Sequence, residues 1–248
     1  THGATIRVAP ETITLVQYLI SAQHITHGAF DPTLLPVLID LGYQTSFTQP
    51  EHVSTCTSNP NWSLPVSSIY IDKHANTVSM PVGITLDPGG LGKGLAADMV
   101  AQLLMGEGAD GVCISLGGDI RCIGQSPSGD VWTLPIESPS GERQQQATFS
   151  SGAIATSSVR AKTWTKQANQ LHHIIDPQTK QPLSTSGLHA VQSTAIANEA
   201  VWAEVFSTAV LVRDSTIAFP LCDAHNIAAQ ITYSDGTTCE NSLWKDFV

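Results

Sequence analysis

Three groups of residues in this chain could do chemistry. The first is LDPGGLGKGLAAD, which holds Gly89, Gly90, Gly92 and Gly94 where a strand-like run gives way to a helical one. Glycine lets the backbone come close to a ligand, and a helix start offers unpaired N–H groups and the positive end of its dipole. The stretch could therefore cradle a phosphate. It fits neither GxxxxGK[ST], because Gly94 follows Lys93, nor GxGxxG, so the P-loop and dinucleotide fingerprints are disfavoured. The second group is HHIIDP, where His172 and His173 end a strand before Asp176-Pro177. A histidine there has the near-neutral pKa of a general base. The third is AVWAEVFSTAV, with Glu204, Ser207 and Thr208 at i, i+3 and i+4 on one helix face. Such hard oxygen donors suit Mg²⁺, which also takes waters and the oxygens of a bound phosphate.

Each group also has a structural reading. A glycine-rich turn before a helix is a tight corner about as often as it is a ligand loop. A strand-end histidine is more often structural than catalytic. Adjacent histidines on a strand point to opposite faces, so His172 and His173 are not expected to share a metal, and one should face inward. Asp176 reads as the cap of its turn. A Glu and a Thr at i, i+4 are usually a solvated face, although Trp202, Val205, Phe206 and Val210 make this helix more buried than most.

The elements that must position these groups follow from pattern. Residues 11–23 carry Ile13, Val16, Leu19 and Ile20 at helical spacing after Pro10. ITHGAFDPTLLPVLIDLGY turns at Gly28 and at Asp31-Pro32, and its apolar run ends at Gly42. Residues 45–65, rich in Ser, Thr, Asn and Pro, read as a surface loop. SSIYID and TVSMPV predict a hairpin around residues 73–76, and GITLD a further short strand. Leu91, Leu95, Met99, Leu103 and Leu104 predict one buried stripe on a helix that Gly106 and Gly108 end. GVCISLGGDIRCIG, VWTLPIES, QQATFSSGAIATSS and an alternating LHAVQSTAIAN read as strands of a mostly antiparallel sheet. Residues 199–212 predict a helix buried on more than one face, and HNIAAQITYSDGTTCENS a hairpin turning at Asp235-Gly236. Runs of strands interrupted by few helices give an α+β class, mainly antiparallel sheets with packed helices, rather than a doubly wound parallel sheet. One domain over residues 1–248 is expected.

With 42% hydrophobic and 13% charged residues the chain has the composition of a globular protein. Its 21 acidic and 11 basic residues give a formal net charge of −10, and no basic cluster stands out, so nucleic acid is not expected as a partner. A phosphate-bearing ligand would then need backbone N–H groups, a metal ion or a few placed cations. Cys56, Cys113, Cys122, Cys222 and Cys239 form no CxxC pair, which points to free thiols rather than a zinc site or a full disulfide framework. No apolar stretch reaches the roughly 20 residues of a membrane span. The start at Thr1, with neither methionine nor a signal-peptide pattern, leads to the expectation of a processed, trimmed or truncated chain.

Taken together, these segments resemble the ApbE-like FAD:protein FMN transferase family. HGAFDPTLLPVLIDLGY is similar to its GxFDPT segment, LDPGGLGKGLAAD to its DLxxxxKGxxxD segment and SLGGDIRCIG to its GGD strand. GAIATSS and HHIIDPQTKQP are similar to its later strand and histidine motifs, and the order is the family's. The resemblance implies an ApbE-like fold, with Ala29, Phe30 and Asp31 against FAD, Asp87 and Lys93 also touching it, and His173 both among the FAD-binding residues and close to the chemistry as the candidate base. It implies Mg²⁺ held by the Gly90 carbonyl together with Glu204, Ser207 and Thr208. In the family, Mg²⁺ binds the FAD pyrophosphate, a threonine hydroxyl of an acceptor protein attacks the FMN phosphorus, and AMP leaves. Some members use water instead and release FMN and AMP. Two departures bear on this expectation. Glu204 stands where the family usually has Asp, and Ser207 where some members have a second Asp, so the longer side chain could shift or weaken an ion that demands tight octahedral geometry. The chain also begins only shortly before GAFDPT, so it is expected to lack the family's N-terminal segment, which helps cover the flavin. Family members often work on the outer face of the bacterial cytoplasmic membrane, but no export signal is visible here. Three readings follow: a flavin transferase, a flavin-binding protein of the same fold with little turnover, and an interaction domain whose glycines serve packing alone.

Overall fold

A computed structural model describes residues 3–43, 65–139 and 145–248. In chain order its first elements are β1 (Thr5–Arg7), α1 (Pro10–Ile25), α2 (Leu35–Asp40), β2 (Tyr70–Asp72), β3 (Thr77–Ser79) and α3 (Gly92–Gly106). There follow β4 (Gly111–Leu116), β5 (Asp119–Gly124), β6 (Trp132–Ile136), β7 (Gln145–Phe149), β8 (Gly152–Ser158), β9 (Thr163–Lys166) and β10 (Asn169–His172). The last are β11 (Ile175–Asp176), β12 (Gln181–Pro182), β13 (Ala190–Ala197), α4 (Ala200–Val212), α5 (Ser215–Ala224), β14 (Ala228–Tyr233) and β15 (Thr238–Glu240). The paired strands are antiparallel, the α+β arrangement expected. The chain divides into two compact units, Thr1–Pro88 with Lys162–Pro182, and Gly89–Ala161 with Leu183–Val248.

In the first unit α1 opens on a proline, whose missing N–H costs nothing at a helix start, and buries Ile13, Val16, Leu19 and Ala22 along one face. Ile13 and Val16 pack with Val66, Ile69, Val78 and Ile84 into one core. The expected hairpin forms: β2 and β3 pair across residues 73–76, with Asn76 in the left-handed region at φ 51°, and β1 adds to the β3 edge. A second core joins Val37, Leu38 and Ile175, with Tyr43 and Trp164 packed against it. The loop expected at residues 45–65 lies outside the described residues but for Pro65. GITLD is not a strand. Its Ile84 N–H turns back to the Pro81 carbonyl and its Asp87 N–H goes to the Pro32 carbonyl, so the segment has spent donors that a ladder needs.

The second unit is built on a six-stranded sheet in the order β15-β14-β13-β8-β5-β4. Side chains alternate between its faces. On β5, Ile120 and Cys122 join the apolar cluster that includes Trp132, Leu134, Phe149, Ile154 and Ile196, most of it shared with the β6–β7 ribbon. Asp119 and Arg121, of the other parity, face α3 and α4. With both faces of the sheet covered, β13 is buried at Val191 to Ala197, so the alternation expected of LHAVQSTAIAN is absent.

Helix α4 buries ten of its 13 residues, as its composition predicts. Helix α3 forms where expected, but its buried face matches the expected stripe only in part. It buries Gly94, Leu95, Ala97, Asp98 and Ala101, while Met99, Leu103 and Leu104 are exposed. The reason is close helix packing: a Cβ built on Gly94 would lie 2.4 Å from the Ala200 carbonyl oxygen. Small residues therefore face α4; Leu91 and Leu95 are buried as expected, whereas Met99, Leu103 and Leu104 point away.

Candidate functional site

In the second unit the chemistry gathers where α3 begins. Lys93, at 43% side-chain exposure, bridges two carboxylates that are almost wholly buried: its Nζ pairs with Asp119 and lies 2.8 Å from Glu204 Oε1. The other Glu204 oxygen, Oε2, accepts the Gly94 N–H at 2.7 Å. That amide belongs to the first turn of α3, whose N–H groups have no partner within the helix, and Leu91 before it supplies no side-chain cap. A carboxylate on α4 thus caps α3 and sits at the positive end of its dipole.

The reverse contact also exists. Asp98 on α3 accepts the N–H groups of Ala200 and Val201 at 2.9 Å each, which caps α4, whose own N-cap Glu199 makes no side-chain capping bond. Arg121 Nε pairs with Asp98 at 3.0 Å, and its Nη1 donates to the carbonyls of Cys122 and Gly152. The two helices therefore cap each other through buried acids. Asp98 stands in the marker segment LDPGGLGKGLAAD, and its part here is to hold α3 against α4.

Charge in this cluster is under-compensated, because two carboxylates share one ammonium. Burial, and next the neighbouring Asp119 charge, push the Glu204 carboxyl up to about 7. Burial also raises Asp119, and Lys93 offsets it only in part. For Lys93 itself burial disfavours the charge, but Glu204 and Asp119 outweigh that and hold its pKa above the usual value.

One helical turn further along α4, Ser207 Oγ donates to the Glu204 carbonyl, and Ser157 Oγ on β8 lies 2.8 Å from Ser207 Oγ and 3.0 Å from Thr208 Oγ1. Three hydroxyls thus cluster one helical turn beyond Glu204. The structure brings Lys93 and Glu204 into contact and sets Ser207 and Thr208 on the same helix. Gly90 lies in the turn before α3. Among the described residues no three histidine, cysteine, aspartate or glutamate side chains gather as a metal site.

In the first unit, Asp31 caps its own turn: Oδ1 accepts the Thr33 N–H at 2.9 Å and the Thr33 hydroxyl at 2.7 Å, and Oδ2 faces Lys180 Nζ at 3.5 Å. Ala29 and Phe30 expose 1% and 5% of their surface, so of these three Asp31 offers the most to a ligand. Asp87 lies near Tyr43, whose hydroxyl pKa is raised by burial and then by the Asp87 charge. Of the two histidines His172 is the inward one, and Ile174 N–H donates to its Nδ1. His173 does the opposite. Its Nδ1 lies 3.3 Å from the Lys162 carbonyl, which can only accept, so this contact favours a proton on Nδ1. Asp176 caps its turn through Gln178 N–H and the Thr179 hydroxyl, as expected.

Asp119, Ser157 and Arg121 were not among the candidate site residues, although Asp119 is the acid of the GGD motif, directly after Gly117 and Gly118, and Ser157 lies in GAIATSS.

Known proteins give this geometry its setting. The ApbE family model matches residues 1–231. The FAD:protein FMN transferase of Vibrio cholerae serotype O1 is 27% identical over 232 residues, 92% of this chain and 68% of that protein. The FAD:protein FMN transferase of Klebsiella pneumoniae is 24% identical over 245 residues, 95% of this chain and 69% of that one. Among solved structures, the ApbE protein of Thermotoga maritima superposes with a TM-score of 0.83 at 24% identity, covering 98% of this chain and 80% of its own. With a family model spanning most of its length, the chain belongs to the ApbE family.

Proposed function

We propose that this chain transfers FMN from FAD to a threonine of an acceptor protein, with Mg²⁺, and releases AMP. The observation that carries the reading is the buried pair Asp119 and Glu204 sharing Lys93 at the first turn of α3. A site with surplus buried negative charge and nearby hydroxyls suits a hard cation, which would let both carboxyls ionise. The donor set fits Mg²⁺ in kind. Glu204, Ser207 and Thr208, with the Gly90 carbonyl, are the residues we assign to hold it. When bound, Mg²⁺ neutralises charge on the phosphoryl oxygens. The names of the similar proteins from Vibrio and Klebsiella, both enzymes, favour turnover over flavin storage.

The side chains have separable tasks. Ala29, Phe30, Asp31, Asp87 and Lys93 are assigned to FAD, and Lys93 brings the positive charge that a pyrophosphate attracts. His173 is the base. Its Nε2 lone pair takes the proton of the threonine hydroxyl as that oxygen bonds to the FMN phosphorus, and the bond from phosphorus to the AMP phosphate breaks. The Lys162 carbonyl beside Nδ1 favours the tautomer that this role needs.

The test is His173→Ala, assayed for FAD binding by fluorescence and for transfer by AMP release. Binding should stay within about threefold while transfer falls by at least about a hundredfold, the usual range for a lost general base. Transfer at the wild-type rate would place the base elsewhere.

A further inference from the structure

The β4–β5 hairpin holds a thiol pair that the spacing of the cysteines does not announce. Cys113 and Cys122 are direct cross-strand partners, and their sulfurs lie 3.4 Å apart. Directly opposed residues on antiparallel strands have Cα atoms about 4.5–5.5 Å apart, inside the span of about 4.4–6.8 Å that a disulfide bridges. Cys113 is exposed on β4, at the end of the six-stranded order, whereas Cys122 is fully buried beside Trp132 and Ile154. We propose that Cys113 and Cys122 are a redox-active pair that closes into a disulfide across β4 and β5 when the protein meets a thiol–disulfide oxidant.

The order of events follows from access. Burial, and then the adjacent Cys113 thiol, raise the pKa of Cys122, so Cys113 reacts first. Its thiolate attacks a small disulfide such as glutathione disulfide, forms a mixed disulfide and releases one glutathione thiolate. Cys122, losing its proton to that thiolate or to water, attacks the Cys113 sulfur and expels the second glutathione. The protein loses two electrons and two protons, and one oxidant disulfide becomes two thiols. The bond would lie on the sheet face opposite Asp119 and Arg121, which point to the helices. It ties the two strands whose turn leads into Asp119 and leaves the acidic cluster itself untouched.

The test uses the whole chain equilibrated with glutathione disulfide, then denatured without reductant in iodoacetamide and cut with trypsin. Cleavage after Lys93 and Arg121 separates the two cysteines into different peptides. The expected product is those two peptides joined, at the sum of their masses less two hydrogens, released by dithiothreitol and absent in Cys113→Ser. Alkylation of both cysteines would overturn the proposal. So would a glutathione adduct on Cys113 with Cys122 alkylated, or Cys113 joined to any other cysteine.

Discussion

Glu204 answers two demands at once, balancing Lys93 and capping Gly94, in a place too buried for its charge to be fully compensated. The sign of the consequence is definite. A carboxyl raised from 4.5 to about 7 binds its proton more tightly folded than unfolded. That contribution to stability is fully present below pH 4.5 and is lost as pH rises to about 7. Asp119 is shifted in the same direction. In the absence of divalent cations, Tm should therefore fall between about pH 5 and 7, and Glu204→Gln should flatten that fall. A wild-type profile level across this range would contradict the under-compensated cluster. The same variant keeps an oxygen for Gly94 but removes a charge assigned to Mg²⁺. It should lower transfer by about tenfold or more, and the loss should lessen as Mg²⁺ is raised. The reach of the Glu204 side chain to the Gly94 amide makes it a helix cap for α3 as well as a partner of Lys93.

At the scale of elements, α3 and α4 are locked by two acids exchanged across their start points and by the absence of a side chain at Gly94. Asp98→Ala removes the cap of α4 and leaves Arg121 buried without its charge partner, so it should cost about 3–5 kcal/mol in urea unfolding. Asp98→Asn keeps two acceptor positions in part and should cost less. Gly94→Ala would normally favour a helix by about 1 kcal/mol. Here its Cβ meets a backbone carbonyl that cannot rotate away, so the helices must part and the change should destabilise by about 1–3 kcal/mol. A stabilising Gly94→Ala would refute the close approach. These contacts explain why only Leu91 and Leu95 of the apolar stripe expected on α3 are buried. Hydrophobic spacing marks an apolar stripe, whereas the buried face is chosen by how near a neighbouring backbone can come, and Gly94, Ala97 and Ala101 carry almost no hydrophobic signal. The hairpin at residues 73–76, the turn at Asp235-Gly236, α1 and the multiply buried α4 were legible because their determinants are local: left-handed turn residues, a starting proline and dense apolar composition. GITLD misled because its β-formers are real but its amides are bound elsewhere.

For the molecule as a whole, a net charge of −10 sits uneasily with a substrate that carries a pyrophosphate, and local chemistry must reverse it. Lys93 and a hard cation beside the acidic pair are how that reversal is proposed to occur, so rising salt should weaken FAD binding less than chelation does. Lys93 and Glu204 were visible in sequence as marker residues, but the Lys93–Asp119 and Asp98–Arg121 pairs join segments far apart in the chain, and no local spacing encodes them. Among the described residues no helix is long and apolar enough to cross a membrane. The measurement that tests the central claim most directly is the mass of a threonine-bearing acceptor protein after incubation with this chain and FAD, with Mg²⁺ or with a chelator. Transfer predicts an acceptor heavier by one FMN phosphoester on threonine, AMP released in equal amount, and neither product in the chelator. An unmodified acceptor with FAD left intact, or FMN and AMP released free in solution while the acceptor mass stays unchanged, would contradict it.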